Sequence, residues 1–246
     1  MACHQQDANV AREDIRFGIA QAPINLDPRY ATDAASARIN RLLYRTLVCF
    51  DAHYQVQPDL ASWQIISPTQ YRFSLGKAGR IFHDGAQLDA SDVQATYQSL
   101  LDLKDSPLSA EFSNIKKIKL LDKNTLDFYL EQADSHFPSK LIIGILPAAE
   151  IKQGRDFGHH PIGSGPLKFV SWQDKLQLVR VSDGQKISLL EVKDPTVRIL
   201  KLKRGEIDLL QGDLPPELVD YLKHQVDLSV IESSGANFSY IGFNLQ

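Results

Sequence analysis

The chain reads as an α/β protein, because strand-type alternation and capped helical stretches follow one another along it. Three stretches carry that reading. Tyr71, Phe73 and Leu75 alternate with Gln70, Arg72 and Ser74, the period of a half-buried strand. Asp84-Gly85 is a turn dipeptide, since glycine tolerates the positive φ such turns need. Asp89-Ala90-Ser91-Asp92 has the spacing of a capping box, with Asp89 accepting from the amide of Asp92 and both carboxylates at the positive end of the helix dipole. Val93, Tyr97, Leu100 and Leu101 then fall on one face of a helix running to about 101.

The 246 residues suffice for one large domain or two small ones. A net charge of −3, with acids and bases interspersed, gives no basic footprint for nucleic acid. No apolar run approaches the length of a membrane span.

In chain order, 14–20 is a first strand and 21–28 a loop, broken by Pro23, Asn25 and Pro28. A helix starts near Thr32-Asp33 and runs to Thr46, with Ile39, Leu42, Leu43 and Leu47 on one face. Cys49 lies in the apolar run Leu47-Val48-Cys49-Phe50 and is expected as a buried small hydrophobe. Trp63 is expected in the core. Strands at 116–120 and 126–130 are joined by the hairpin signal Asp122-Lys123-Asn124. The apolar stretch 137–146 is a helix or a strand, and strands follow at 168–172 and 176–181. Asp194-Pro195 opens a helix that Gly205 closes, Asp as the cap and Pro at the first turn. Pro215 starts another short helix.

No constellation points to catalysis or to a cofactor. Ser164 is not the nucleophile of a Gly-x-Ser-x-Gly elbow, because Ile162 replaces the first glycine. His159-His160 lacks a cysteine or carboxylate at ligand spacing, so it is a poor metal site. His83 serves its turn. Glu206 and Asp208 read as structural charges, and Lys116, Lys117 and Lys119 as a solvated strand face.

Several motifs nevertheless occur in a recognisable order: Leu26-Asp27-Pro28, Leu42-Leu43-Tyr44-Arg45-Thr46-Leu47-Val48, the segment from Pro58 to Trp63, and Phe82-His83-Asp84-Gly85 followed by Ser91-Asp92-Val93. Pro161-Ile162-Gly163-Ser164-Gly165-Pro166, Gly205-Glu206-Ile207-Asp208 and the stretch from Phe238 to Asn244 complete the series. Together these resemble the family 5 extracytoplasmic solute-binding proteins, the dipeptide, oligopeptide and nickel receptors of ABC transporters. The resemblance covers about 14–246. Arg45 and Thr46 depart from the Glu-Gly usual in the family, which puts any role of that acid in doubt.

The resemblance implies an α/β fold, a type II periplasmic-binding-protein lobe of a two-lobed clamshell, with an inserted α/β subdomain and the C-terminal lobe absent. It implies a flexible tail over 1–13, a main subdomain of 14–47 and 160–246, and an insertion of 48–159. The implied function is the substrate-binding component of an ABC importer, not an enzyme. It would capture peptides or similar small solutes in the periplasm or at the cell surface and deliver them to permease subunits. A solute sensor of the same fold, feeding a transcriptional regulator or signalling partner, is the alternative. The family's cleft loops map onto Thr32 and Ala34, Leu108, Gln211 and Gly212, and Ser239 and Tyr240. Tyr240 reads equally as a ligand-facing ring or as a core tyrosine. Met1-Ala2-Cys3 resembles the mature end of a bacterial lipoprotein, which makes Cys3 the expected lipid attachment site, against a free thiol on a floppy terminus.

Overall fold

The computed structural model describes residues 14–212 and 214–232. β1 (Asp14–Ile19) leads through a long loop to α1 (Ala34–Leu43), and β2 (Val48–Phe50) pairs with β3 (Val56–Pro58) as a short ribbon. β4 (Ala61–Ser67) and β5 (Gln70–Leu75) form a hairpin before α2 (Ala90–Asp102). A 3-10 turn at Ser109–Phe112 precedes β6 (Ile115–Leu120) and β7 (Thr125–Leu130), then the short helices α3 (Phe137–Lys140) and α4 (Ala148–Lys152). β8 (Leu167–Trp172), β9 (Leu176–Arg180) and β10 (Lys186–Glu191) follow, then α5 (Pro195–Lys203), β11 (Leu209–Leu210) and α6 (Pro216–Lys223).

The strands build two main sheets. One has five strands in the order β11-β1-β10-β9-β8, with β1 parallel to both β10 and β11. The other is an antiparallel sheet of four strands, β4-β5-β7-β6. Each sheet has its own core. Tyr71 and Phe73 of β5, Phe128 of β7 and Phe137 meet Tyr97 of α2 in a buried aromatic cluster, with Phe73–Phe128 and Tyr97–Phe128 edge to face at 5.5 Å. Such pairs add about 0.5–1.5 kcal/mol beyond the area they bury. The second core gathers Leu26, Ile39, Leu43 and Tyr44 with Leu146, Phe157, Leu167, Leu176, Leu178 and Leu189.

The chain passes between the cores at two adjacent places, after Tyr44 and after Ile145. The amide of Ile145 donates to the carbonyl of Arg45 at 3.0 Å, so the crossings are hydrogen-bonded to each other. A third joint is made by two of the sequence motifs. His83 donates its amide to Gly163 O at 2.8 Å, its ring Nε2 meets Gly165 O at 3.0 Å, and Lys168 Nζ returns to His83 O at 2.8 Å. Gly163 is required here. A Cβ on it would stand 1.9 Å from Leu43 O, so only glycine lets this loop slide under the end of α1.

The capped helix forms as its sequence predicts. The Asp89 carboxylate accepts from the Ser91 amide at 2.7 Å, and Asp92 Oδ2 accepts from the Asp89 amide at 2.8 Å, which closes a capping box with the amide of Asp92. Asp92 also ties the helix to α4 by accepting from the Ala148 amide at 2.8 Å. The Asp194 cap, Pro195 in the first turn and Gly205 at a φ of +67° bound α5 as expected.

Three expectations are corrected. Cys49 is exposed, because it sits on the outward face of the β2–β3 ribbon while Val48 alone of β2 is buried. α1 ends at Leu43, not Thr46, and Leu47 belongs to the other core. The stretch 137–146 is mostly neither helix nor strand. After α3 it runs irregularly, and Gly144 lies so close to Tyr44 that a Cβ would meet that ring at 2.7 Å. Beyond these, β10 is a central strand, between β1 and β9, for which the sequence predicts no element.

Candidate ligand-binding face

The face is built around α1, whose Asp33 cap accepts from the Ser36 amide at 2.9 Å. Ser36, Ile39, Asn40 and Leu43 are buried, which leaves Ala34, Arg38 and Arg41 exposed. Arg38 and Arg41 make no ion pair among the described residues. Depressions lie along α1, and Arg41 contributes to two of them. The first, about 450 Å³, lies over the carboxyl end of β1 and is lined by Ile19, Ala34, Arg38, Leu42, Leu189 and Gln211, among others. The second, about 180 Å³, joins the two cores. Ala31, Ala37 and Asn40 line one side; Leu108, Lys140 and Ile142 line the other.

The loop that carries Ala31 is held by a buried ion pair. Arg29 Nη2 lies 2.6 Å from Asp27 Oδ2, and both side chains are almost wholly buried. Arg29 also donates to Ser99 Oγ at 3.1 Å and lies over the Phe157 ring at 5.5 Å. The hydroxyl of Ser106 donates to Arg29 O at 2.6 Å. The Leu26-Asp27-Pro28 motif thus clamps the loop after β1 to the end of α2. That clamp sets Ala31 opposite Leu108.

One polar group in the second depression stands out. Both amide atoms of Asn40 are buried and have no hydrogen-bond partner. A buried polar group left unpaired costs about 1–3 kcal/mol. A ligand's polar group, or water, would relieve that cost.

The expected site residues fall as follows. Ala34 and Gln211 share the first depression, and Leu108 lines the second. Gly212 is beside Arg38, whose Nη1 would lie 3.6 Å from a Cβ at that position. Thr32 is exposed just before the Asp33 cap and lines neither depression. Ser239, Tyr240 and Cys3 lie outside the described residues. Arg38, Asn40 and Arg41 were not singled out by the sequence reading. Their signal was present, since 38 and 41 are three apart and share a helical face.

Other features carry structure, not chemistry. Asp208 Oδ2 accepts from the Arg16 amide at 2.8 Å, which fixes the start of β11 to β1. Arg45, where the family has an acid, pairs with Asp59 at 2.7 Å. His159 pairs with exposed Asp156 at 3.0 Å, and no metal-holding cluster occurs among the described residues. No described helix is long and apolar enough to cross a membrane.

A sheet with parallel strands, depressions beyond the end of its first strand and a second sheet inserted beside it is a specific architecture. The family model described as bacterial extracellular solute-binding proteins, family 5 Middle, matches residues 55–246. The chain belongs to this family.

Among curated proteins, this family 5 chain is 28% identical to di/tripeptide-binding protein 1 of Pseudomonas aeruginosa, across 91% of the chain and 49% of that protein. It is 26% identical to the oligopeptide-binding protein AppA of Bacillus subtilis, across 94% of the chain and 46% of that protein. Among solved structures, the periplasmic binding protein DppA of Helicobacter pylori with the peptide STSA superposes with a TM-score of 0.76 at 25% identity, across 87% of the chain and 49% of that structure. NikZ of Campylobacter jejuni, with Ni(L-His), gives a TM-score of 0.78 at 24% identity and 89% and 46% coverage, a likeness of fold. The fold is therefore an α/β lobe of the type II periplasmic-binding kind. The chain spans about half the length of the curated relatives it matches.

Proposed function

We propose that this chain supplies one face of the substrate-binding component of an ABC importer, and that short peptides or similar small solutes lie along the exposed side of α1. The observation that carries the reading is the pair of depressions around α1, with Arg38 and Arg41 unpaired and the Asn40 amide unsatisfied. Relatives named for di- and tripeptides and for oligopeptides support a peptide. In this reading Thr32, Ala34, Leu108, Gln211 and Gly212 border the ligand, with Ser239 and Tyr240 joining them. A main subdomain of 14–47 and 160–246 with an insertion of 48–159 belongs to the same reading, although the cores change over after Tyr44 and after Ile145, with Leu47 in one core and Leu146 and Phe157 in the other. Delivery to permease subunits, residence outside the cytoplasm and a lipid on Cys3 belong to the same proposal.

The test is a nuclear magnetic resonance titration of the isotope-labelled 246-residue chain with trialanine. A single face offers half of a clamshell's contacts, so weak binding is expected. Amide shifts should cluster at Ala34, Asn40, Arg41, Leu108 and Gln211, and Arg41→Ala should reduce them. Shifts elsewhere, or none at millimolar peptide, would remove this face from the site.

A further inference from the structure

Where the two cores meet at the His83 and Gly165 joint, a cleft of about 680 Å³ opens, within the roughly 300–1,000 Å³ of small-molecule sites. It shares no lining residue with either depression along α1. One wall is the turn region with Lys77, Arg80 and His83; the other is Ser164, Lys168 and Arg180.

The charge of this cleft is one-sided. Its lining includes four cations and no carboxylate. Arg180 is answered by Asp183 at 2.6 Å. The other three have no acidic partner in any ion pair among the described residues. Arg80 gives its donors to neutral acceptors, Leu88 O at 2.8 Å and Asn124 Oδ1 at 2.7 Å. Lys168 donates to the carbonyl of His83, and Lys77 is exposed. Asp84 beside His83 accepts from the Ala86 amide and does not line the cleft.

One lining residue also holds an unused donor. Ser164 Oγ is buried without a partner, and Ser164 as a whole is 8% exposed. Like charges brought together repel, and an anion between them removes that repulsion. Arginine and lysine both recognise phosphate oxygens through charge-assisted hydrogen bonds.

We propose that this cleft binds a small polyanion of the phosphate class, held between Lys77 and Arg80 of one wall and Lys168 of the other. Because the walls belong to different cores, the bound anion braces the joint between them. The charges are partly exposed, so binding weakens as salt rises and the Debye length shortens to about 8 Å at 0.15 M.

The experiment is calorimetric titration of the 246-residue chain with inorganic pyrophosphate at low salt, with sulfate in parallel. Saturable one-to-one binding of pyrophosphate, tighter than that of sulfate, is expected. Lys168→Gln and Arg80→Gln should each weaken it about tenfold, the scale of one charge-assisted hydrogen bond. Those side chains also bond to backbone, so Lys77→Gln is the decisive variant: exposed Lys77 has no hydrogen-bond or ion-pair partner among the described residues, and its loss should weaken binding without lowering the melting temperature. No saturable binding, equal affinity for sulfate, or an affinity unmoved by Lys77→Gln would overturn the proposal.

Discussion

The ring Nε2 of His83 lies 3.0 Å from the carbonyl oxygen of Gly165, a residue eighty-two positions later in the chain. A carbonyl only accepts, so Nε2 carries the proton and Nδ1 is bare. Nδ1 is buried with no partner. A second proton there would place a charge in a poorly hydrated pocket beside Lys168. Burial accordingly pushes the His83 pKa below its usual value, and Lys168 pushes the same way, against the Gly165 bond and Asp84.

The pH dependence follows with a definite sign. The unfolded histidine titrates near pH 6.5, and the folded one below that. Between the two values the unfolded chain binds more protons, so stability rises with pH there. Stability from this joint is complete above about pH 6.5 and is lost as pH falls through the folded value. Urea midpoints measured from neutral to mildly acidic pH should fall for the native chain. In His83→Gln the fall should be smaller, and identical slopes would show that His83 is not the titrating group.

The glycines of two motifs should respond differently to substitution. Gly163→Ala drives a methyl into the carbonyl of Leu43, a backbone atom that cannot rotate away. Overpacking usually costs about 1–3 kcal/mol, and a backbone clash belongs at or above the top of that range. Gly85→Ala meets no atom within 4 Å, and its only penalty is a φ of +93°. That strain is about 1–2 kcal/mol for an L-residue. Denaturant unfolding of both variants should give a clear gap, with Gly163→Ala the worse; the reverse order would refute the tight approach under α1.

Loss of the α2 cap should be felt on its own. Asp89→Ala removes the acceptor for the Ser91 amide and hydroxyl. The expected cost is about 0.5–2 kcal/mol. An unchanged urea midpoint would contradict the cap.

How far the sequence reading reached depended on whether local or distant partners decide an element. The β5 alternation, the β6–β7 hairpin and the caps at Asp89 and Asp194 depend on neighbours within a few residues, and each appears where its pattern puts it. β10 depends on β1, which pairs with it in parallel from 172 residues away. Its alternation, Lys186-Ile187-Ser188-Leu189, lasts only four residues before Leu190 breaks it, a weak signal without the distant partner. Cys49 follows the same logic: its apolar neighbours suggest burial, but only the ribbon's position decides which side faces water. For the candidate face, resemblance supplied positions near α1, yet Asn40 looked like any polar helix residue. Its significance comes from the depression it shares with Leu108, Lys140 and Ile142, residues distant in the chain that no local pattern brings together.

The last prediction concerns the clamp behind that face. Asp27 and Arg29 are buried together, and Arg29 has no other carboxylate within ion-pair reach among the described residues. Removing one member of a buried pair leaves the other charge desolvated and costs about 3–5 kcal/mol. Asp27→Ala should approach that value, lowered by what Ser99 and the Phe157 ring still give Arg29. Removing both charges should cost less than the sum of the single changes, because the uncompensated cation is gone. The clamp also positions the loop around Ala31 against Leu108, so loosening it should reach the ligand face. Under conditions where Asp27→Ala remains folded, trialanine should produce smaller amide shifts at Asn40 and Leu108 than in the native chain. Shifts at Gln211, in the depression over β1, should change less. Equal losses in both depressions would mean a global change of fold, and no loss at all would mean that the clamp does not shape the face.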